Sequence, residues 1–95
     1  MLSMSITSDE RVKSNIVSMD EVSTMMRNIE LRKYTKAGKT EYGLIAQQAE
    51  SVGAKFINHK DEDLLSVDLY DYVAHVHKYV QELEKKIDEL TKKDK

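Results

Sequence analysis

Seven aliphatic residues near the C-terminus, Leu69, Val73, Val76, Val80, Leu83, Ile87 and Leu90, recur at alternating intervals of four and three. This is a heptad seam with Leu69 at d and Val73 at a. It predicts a helix about 33 Å long at 1.5 Å per residue. The outer positions are mostly charged or polar, including Gln81, Glu82, Glu84, Lys85, Asp88 and Glu89. The apolar stripe is therefore narrow, as in a coiled coil, whereas a helix packed on its own domain carries a broader face. Valine or isoleucine at a with valine or leucine at d suits two or three strands. Tyr72 and Tyr79 fall at successive g positions and Tyr70 at e. They widen the stripe in its upper half and predict packing there against the rest of the chain or a neighbouring subunit; Tyr70 suits a wet surface equally well. Asp68 is the expected N-cap, and the cations of Lys92-Lys93-Asp94-Lys95 suit a helix C-terminus.

The pattern ahead of this helix is shorter-ranged. Residues 1–17 carry no sustained period and are expected to be extended or irregular. Ser18-Met19-Asp20-Glu21 has the form of a capping box, and Val22, Met25, Met26 and Ile29 behind it make one helical face. A short helix over 19–30 follows. Leu31 to Lys36 alternates in part, Ala37-Gly38 suits a turn, and Lys39 to Ala46 returns with Tyr42, Leu44 and Ala46 on one face, which predicts a β-hairpin. Gln47 to Val52 is a further helical segment stopped by Gly53. Phe56-Ile57 and Leu64 to Val67 read as short strands about a charged loop, Asn58 to Asp63. The fold class is α+β, mainly α: a small globular head with a hairpin and short helices, then a long C-terminal helix. Val22, Met26, Ile29, Leu44 and Ile45 are the expected core of the head.

Composition narrows the function. A chain of 95 residues allows one domain, and at this size only about 60–65% of the unfolded surface is buried, so a monomer is marginal. There is no cysteine to supply a disulfide or thiolate site; self-association is the remaining device. Fifteen Lys and Arg against 17 Asp and Glu, a net charge of −2, favour no nucleic-acid partner. The apolar runs are far short of a membrane span. Met1 to Thr7 lacks the layout of a signal peptide, so folding in a cytoplasm is expected. His75 and His77 lie about 200° apart on a helix and cannot share a metal. With His59 in the charged loop, all three histidines are expected to be solvated or packed on a helix. The three glycines are widely separated, so no phosphate loop is present and no metal or cofactor is expected.

Two motifs remain. Ser8-Asp9-Glu10-Arg11-Val12-Lys13 reads Ser-Asp-x-Arg-x-Lys and is followed by Asn15-Ile16; Tyr42-Gly43-Leu44-Ile45-Ala46-Gln47-Gln48-Ala49-Glu50 comes later. Together, in this order and ahead of a coiled coil, they resemble the C-terminal intramolecular chaperone auto-processing domain of phage tail spikes and tail fibres (endosialidase-type), a domain also found in a membrane-tethered animal transcription factor. The resemblance runs from Ser8 to about Leu90. It implies a homotrimer that guides folding of the fibre polypeptide before it, in the host cytoplasm during virion assembly, and then cuts itself off, so that it is absent from the mature virion. It also chooses three strands for the seam. On this reading residues 1–7 are an upstream stub, 8–68 the chaperone head and 69–95 the trimerisation helix.

The implied chemistry is single-turnover serine peptidase action on its own chain, with Ser8 as nucleophile, Lys13 as its base, and the Thr7–Ser8 bond as the cleavage site. Asp9 and Arg11 match the motif and are given supporting roles. A serine needs a base to become nucleophilic, and a lysine serves only if desolvation or nearby positive charge favours its neutral form; Arg11 could contribute that charge. Five residues separate Ser8 from Lys13, which puts them about 140° apart on a helix and on opposite faces of a strand. The dyad therefore requires an irregular segment or two subunits. Without the motif, Ser8-Asp9 reads as a turn or N-cap and Lys13 as a solvated lysine. The second motif is expected to be structural, with Gly43 permitting a bulge or close approach and Leu44 and Ala46 facing the core. Only seven residues precede Ser8, so a fragment, or a separate chaperone acting in trans, are both open. The competing classes are a non-cleaving trimerisation module and an unrelated coiled-coil adaptor.

Overall fold

The computed structural model describes residues 5–61 and 63–93. A 3₁₀ turn, Glu10–Val12, comes first, followed by α1 (Ser23–Arg27), β1 (Arg32–Lys36), β2 (Lys39–Gly43), α2 (Ala46–Ser51), β3 (Ile57–Asn58), β4 (Ser66–Val67) and α3 (Leu69–Lys93). The first four residues of the expected stub and the last two of the expected trimerisation segment lie outside the described residues.

The long helix starts where its cap predicts. The Asp68 carboxylate accepts from the Asp71 N–H at 3.2 Å, and the Asp68 N–H donates to the Phe56 carbonyl at 2.8 Å. One residue thus caps α3 and fastens it to the strand region of the head. That region is a second, minimal hairpin, with Ile57 opposite Val67 and Asn58 opposite Ser66.

Helix α1 is five residues long, not the twelve of 19–30. Its N-cap is Val22, which makes no side-chain cap, and Ser18 to Glu21 stay outside it. A carboxylate from elsewhere displaces the expected capping box. Glu82 on α3 accepts from the Val22 N–H at 2.9 Å and the Ser23 N–H at 3.2 Å, and also from the Ser23 hydroxyl. A negative group at a helix N-terminus satisfies orphan amides and complements the dipole. Once Glu82 fills that place, a local box has nothing left to cap.

The β1–β2 hairpin pairs Arg32 with Gly43 through Lys36 with Lys39 in unbroken register, so no bulge occurs. Ala37 (φ 51°) and Gly38 (φ 78°) both adopt positive φ, the signature of a two-residue type I′ turn. Gly43 permits a close approach instead of a bulge: a Cβ there would lie 3.0 Å from the Tyr34 hydroxyl oxygen. Tyr42 is exposed, whereas Leu44 and Ala46, beyond the end of β2 at Gly43, reach the core. Helix α2 ends in a Schellman motif. Gly53 (φ 103°) donates to the Glu50 carbonyl at 3.0 Å and Ala54 to that of Ala49 at 3.1 Å, and the two alanines meet in the core.

Val22, Met26, Ala49, Ala54, Phe56 and Ile57 are buried. Phe56, only 1% exposed, is their centre and packs on α3, its ring 5.2 Å from Tyr72 and 5.0 Å from His75. Tyr72 and Tyr79 lean on the core while Tyr70 is exposed. Of the expected core, Val22 and Met26 are buried and Ile29 and Leu44 are half-buried on its margin. Ile45 is half-buried without packing on the core, since it is the extended residue that turns the hairpin into α2. The seven seam residues of α3 remain between 37% and 61% exposed.

Phe56→Ala should therefore cost about 3–5 kcal/mol, enough to unfold much of so small a head, whereas Ile45→Ala should cost less than half as much. Urea midpoints of the two variants check this ranking; an equal loss at both positions would count against it.

Candidate functional site: a serine–lysine contact across a 3₁₀ turn

Ser8 precedes a tight turn whose residues are all exposed. Asp9 is extended (φ −68°, ψ 133°) and caps the turn, its Oδ1 accepting from the Arg11 N–H at 2.8 Å. Two backbone bonds close it, Val12 N–H to the Asp9 carbonyl and Lys13 N–H to the Glu10 carbonyl, each 3.1 Å. Lys13 then resumes an extended backbone (φ −120°, ψ 152°). This is the irregular segment that the five-residue spacing requires: neither helix nor strand, but two extended residues flanking a turn. Lys13 Nζ lies 2.7 Å from Ser8 Oγ, within one chain.

That distance suits either proton arrangement. As an ammonium, Lys13 donates to the serine oxygen; as a neutral amine it accepts from the Ser8 hydroxyl, the polarity that raises nucleophilicity. Arg11 turns back onto Asp9. Its guanidinium is bound to Asp9, Nε to Oδ1 at 3.0 Å and Nη2 to Oδ2 at 2.7 Å. The Arg11 side chain, and secondarily its backbone N–H, hold the Asp9 carboxyl below the usual carboxylate range, and Asp9 raises the Arg11 guanidinium in turn.

Two of the three histidines are held by other groups. His75 sits edge-on to Phe56 with Nδ1 2.8 Å from the Asp71 carbonyl oxygen, His59 contacts the Glu50 carboxylate, and His77 is exposed. Among the described residues no cluster of histidines and carboxylates could hold a metal ion, and no helix is long and apolar enough to cross a membrane. The second motif builds scaffold: it supplies the Tyr34–Gly43 approach, the turn at Ile45 and the buried face of α2. Glu82 is the residue that sequence reasoning missed. Its spacing marks it only as an outer position of the coiled coil, and no local pattern links it to Val22 and Ser23 some sixty residues earlier.

The model of the family described as chaperone of endosialidase matches residues 8–59, over half of the chain. The chain belongs to that family. No curated protein and no solved structure matches it. The matched segment of this endosialidase-chaperone domain begins at Ser8 and includes the turn, α1, the β1–β2 hairpin, α2 and β3. An unrelated coiled-coil adaptor is thereby set aside. The match stops short of α3, so the seam stands on its own spacing and exposure.

Glu82 makes the joint between the matched head and α3 sensitive to acid. The Ser23 hydroxyl bond, followed by the Val22 and Ser23 amides and nearby Lys78, outweighs partial desolvation and holds its carboxyl below the ordinary glutamate value. A carboxyl depressed in the folded state stabilises above the unfolded value, and that contribution fades as pH falls through the folded one. Glu82→Ala should lower the melting temperature at pH 7 by about 5 °C. The gap from the parent should close as pH falls below about 4.5. Melting curves from pH 7 to pH 3 test this, and a gap that persists unchanged at pH 3 would rule out the charge as its source.

Proposed function

We propose that this domain is an intramolecular chaperone that trimerises, assists folding of a phage tail-fibre or tail-spike polypeptide joined ahead of it, and releases itself by cleavage before Ser8. The observation that carries the reading is the 2.7 Å approach of Lys13 Nζ to Ser8 Oγ inside the family-matched segment. Residues 1–7 are then the upstream stub of the fibre or leader, 8–68 form the chaperone head and 69–95 the trimerisation helix. The work is done in the host cytoplasm, and the domain leaves the fibre before the virion is mature.

In the cleavage step Lys13, as the free amine, takes the Ser8 hydroxyl proton while Oγ bonds to the Thr7 carbonyl carbon. The Thr7–Ser8 C–N bond breaks as that proton passes to the departing Ser8 nitrogen, which leaves an ester between Thr7 and Ser8 Oγ. Water hydrolyses the ester, freeing a Thr7 carboxylate and a chain that begins at Ser8. No cofactor enters. Trimerisation is supported by the seam, whose seven aliphatic side chains lie bare along one face of α3 while the head covers another. Three such helices would remove that surface from water. A second reading, an assembly module that trimerises without cutting, or that serves its fibre in trans, is favoured by the full exposure of Ser8 and Lys13 in the single chain. Nothing around them there excludes water.

Sedimentation equilibrium should give a trimer, and Val80→Asp should dissociate it, because a carboxylate in the seam is costly to desolvate without a partner. A compact folded monomer of the parent chain would overturn the trimer. In a chain extended by a fibre segment ahead of Met1, intact mass should show a break between Thr7 and Ser8 without added protease. Ser8→Ala and Lys13→Ala should each abolish it. Continued cleavage in Ser8→Ala would refute the assignment, and an uncut parent would leave the assembly module.

A further inference from the structure

We infer that Asp9 is the positioning residue of the Ser8–Lys13 pair, and that it acts by capping the turn. The inference rests on the reading of Ser8 and Lys13 as nucleophile and base. It starts from how little else holds the turn in shape. Glu10–Val12 is a single 3₁₀ turn closed by two backbone hydrogen bonds. No residue from Ser5 to Glu21 is buried, so packing does not enforce the geometry. Short 3₁₀ segments have poor hydrogen-bond geometry, and isolated turns do not persist in water.

The Asp9 carboxylate adds three contacts, all from Arg11: the N–H and Nε to Oδ1, and Nη2 to Oδ2. The first is an N-cap bond that fixes where the chain reverses, and the others tie the side chain of the middle turn residue back over the same carboxylate. Lys13 emerges on the side of Ser8 because of that reversal. The arrangement has a second effect. With both carboxylate oxygens occupied by Arg11, Asp9 leaves Lys13 unclaimed by an ion pair among the described residues. Lys13 Nζ is then free to lie on Ser8 Oγ.

The test uses the full chain and three proteins: parent, Asp9→Ala and Asp9→Asn. Asparagine keeps a cap oxygen for the Arg11 N–H but loses the charge; alanine loses both. Two readouts are taken, release of residues 1–7 by intact mass and the proximity of Lys13 to Ser8 by nuclear Overhauser effects between their side-chain protons. Asp9→Ala should slow release roughly ten-fold and lose the proximity signal, as expected for removal of a cap. Asp9→Asn should restore the signal and bring the rate to within about three-fold of the parent. An Asp9→Asn protein as slow as Asp9→Ala would overturn the inference, since the carboxylate charge and not the cap would then be at work. Asp9→Ala that keeps both rate and proximity would overturn it too. If the parent releases nothing, the nucleophile reading fails on its own, and the proximity signals still decide whether Asp9 sets the Ser8–Lys13 contact.

Discussion

The docking of the head onto one face of α3 is the constraint from which the other features follow. Phe56 supplies its apolar part, closing against Tyr72 and His75, and Glu82 supplies its polar part, reaching from α3 to the first amides of α1. The two contacts lie along the same side of the helix, one near its start and the other about two turns beyond His75. Between them they hold the core residues Val22 and Met26 against the helix. So few buried side chains make a thin core for a chain of this length. Each contact consequently matters more than it would in a larger domain.

The same docking decides what is left uncovered. Tyr72, His75, Tyr79 and Glu82 belong to the docked face, whereas the a and d residues from Leu69 to Leu90 point elsewhere and remain exposed. A helix with one stripe bound to its own head and another bare is suited to bringing several heads around a common axis. The head would then stand outside the bundle, and the exposed segment from Ser5 to Glu21, with Ile6, Val12, Ile16 and Val17 in water, would lie beside it. This arrangement joins the two halves of the proposed function: a seam for assembly, and a cleavage pair on a segment that the single chain leaves open.

Features set by neighbours in sequence were legible without a structure. The heptad spacing, the Asp68 cap, the stop at Gly53 and the Ala37-Gly38 turn each depend on residues within a turn or two of one another, and each appears where its local chemistry puts it. The Ser-Asp-x-Arg-x-Lys motif pointed to the family, and the family match begins at its serine. The spacing alone did not reveal how Ser8 and Lys13 meet, because a separation of five fits neither regular period.

Tertiary structure decided the remainder. The capping box at Ser18 and Glu21 was sound locally, yet a carboxylate sixty residues away took its place and shortened α1. Ile45 had the apolar character of a core residue, but it is the extended residue leading into α2 and is half-buried without packing on the core. The Arg11 guanidinium pairs with Asp9 across the folded turn, a contact that the spacing of the motif did not specify. The sequence by itself determined the local elements, the seam and the family, since these rest on periodicity and short-range bonding. Only the fold decided which face of α3 the head covers and how the turn brings Lys13 onto Ser8, because both are settled by contacts that no local pattern encodes.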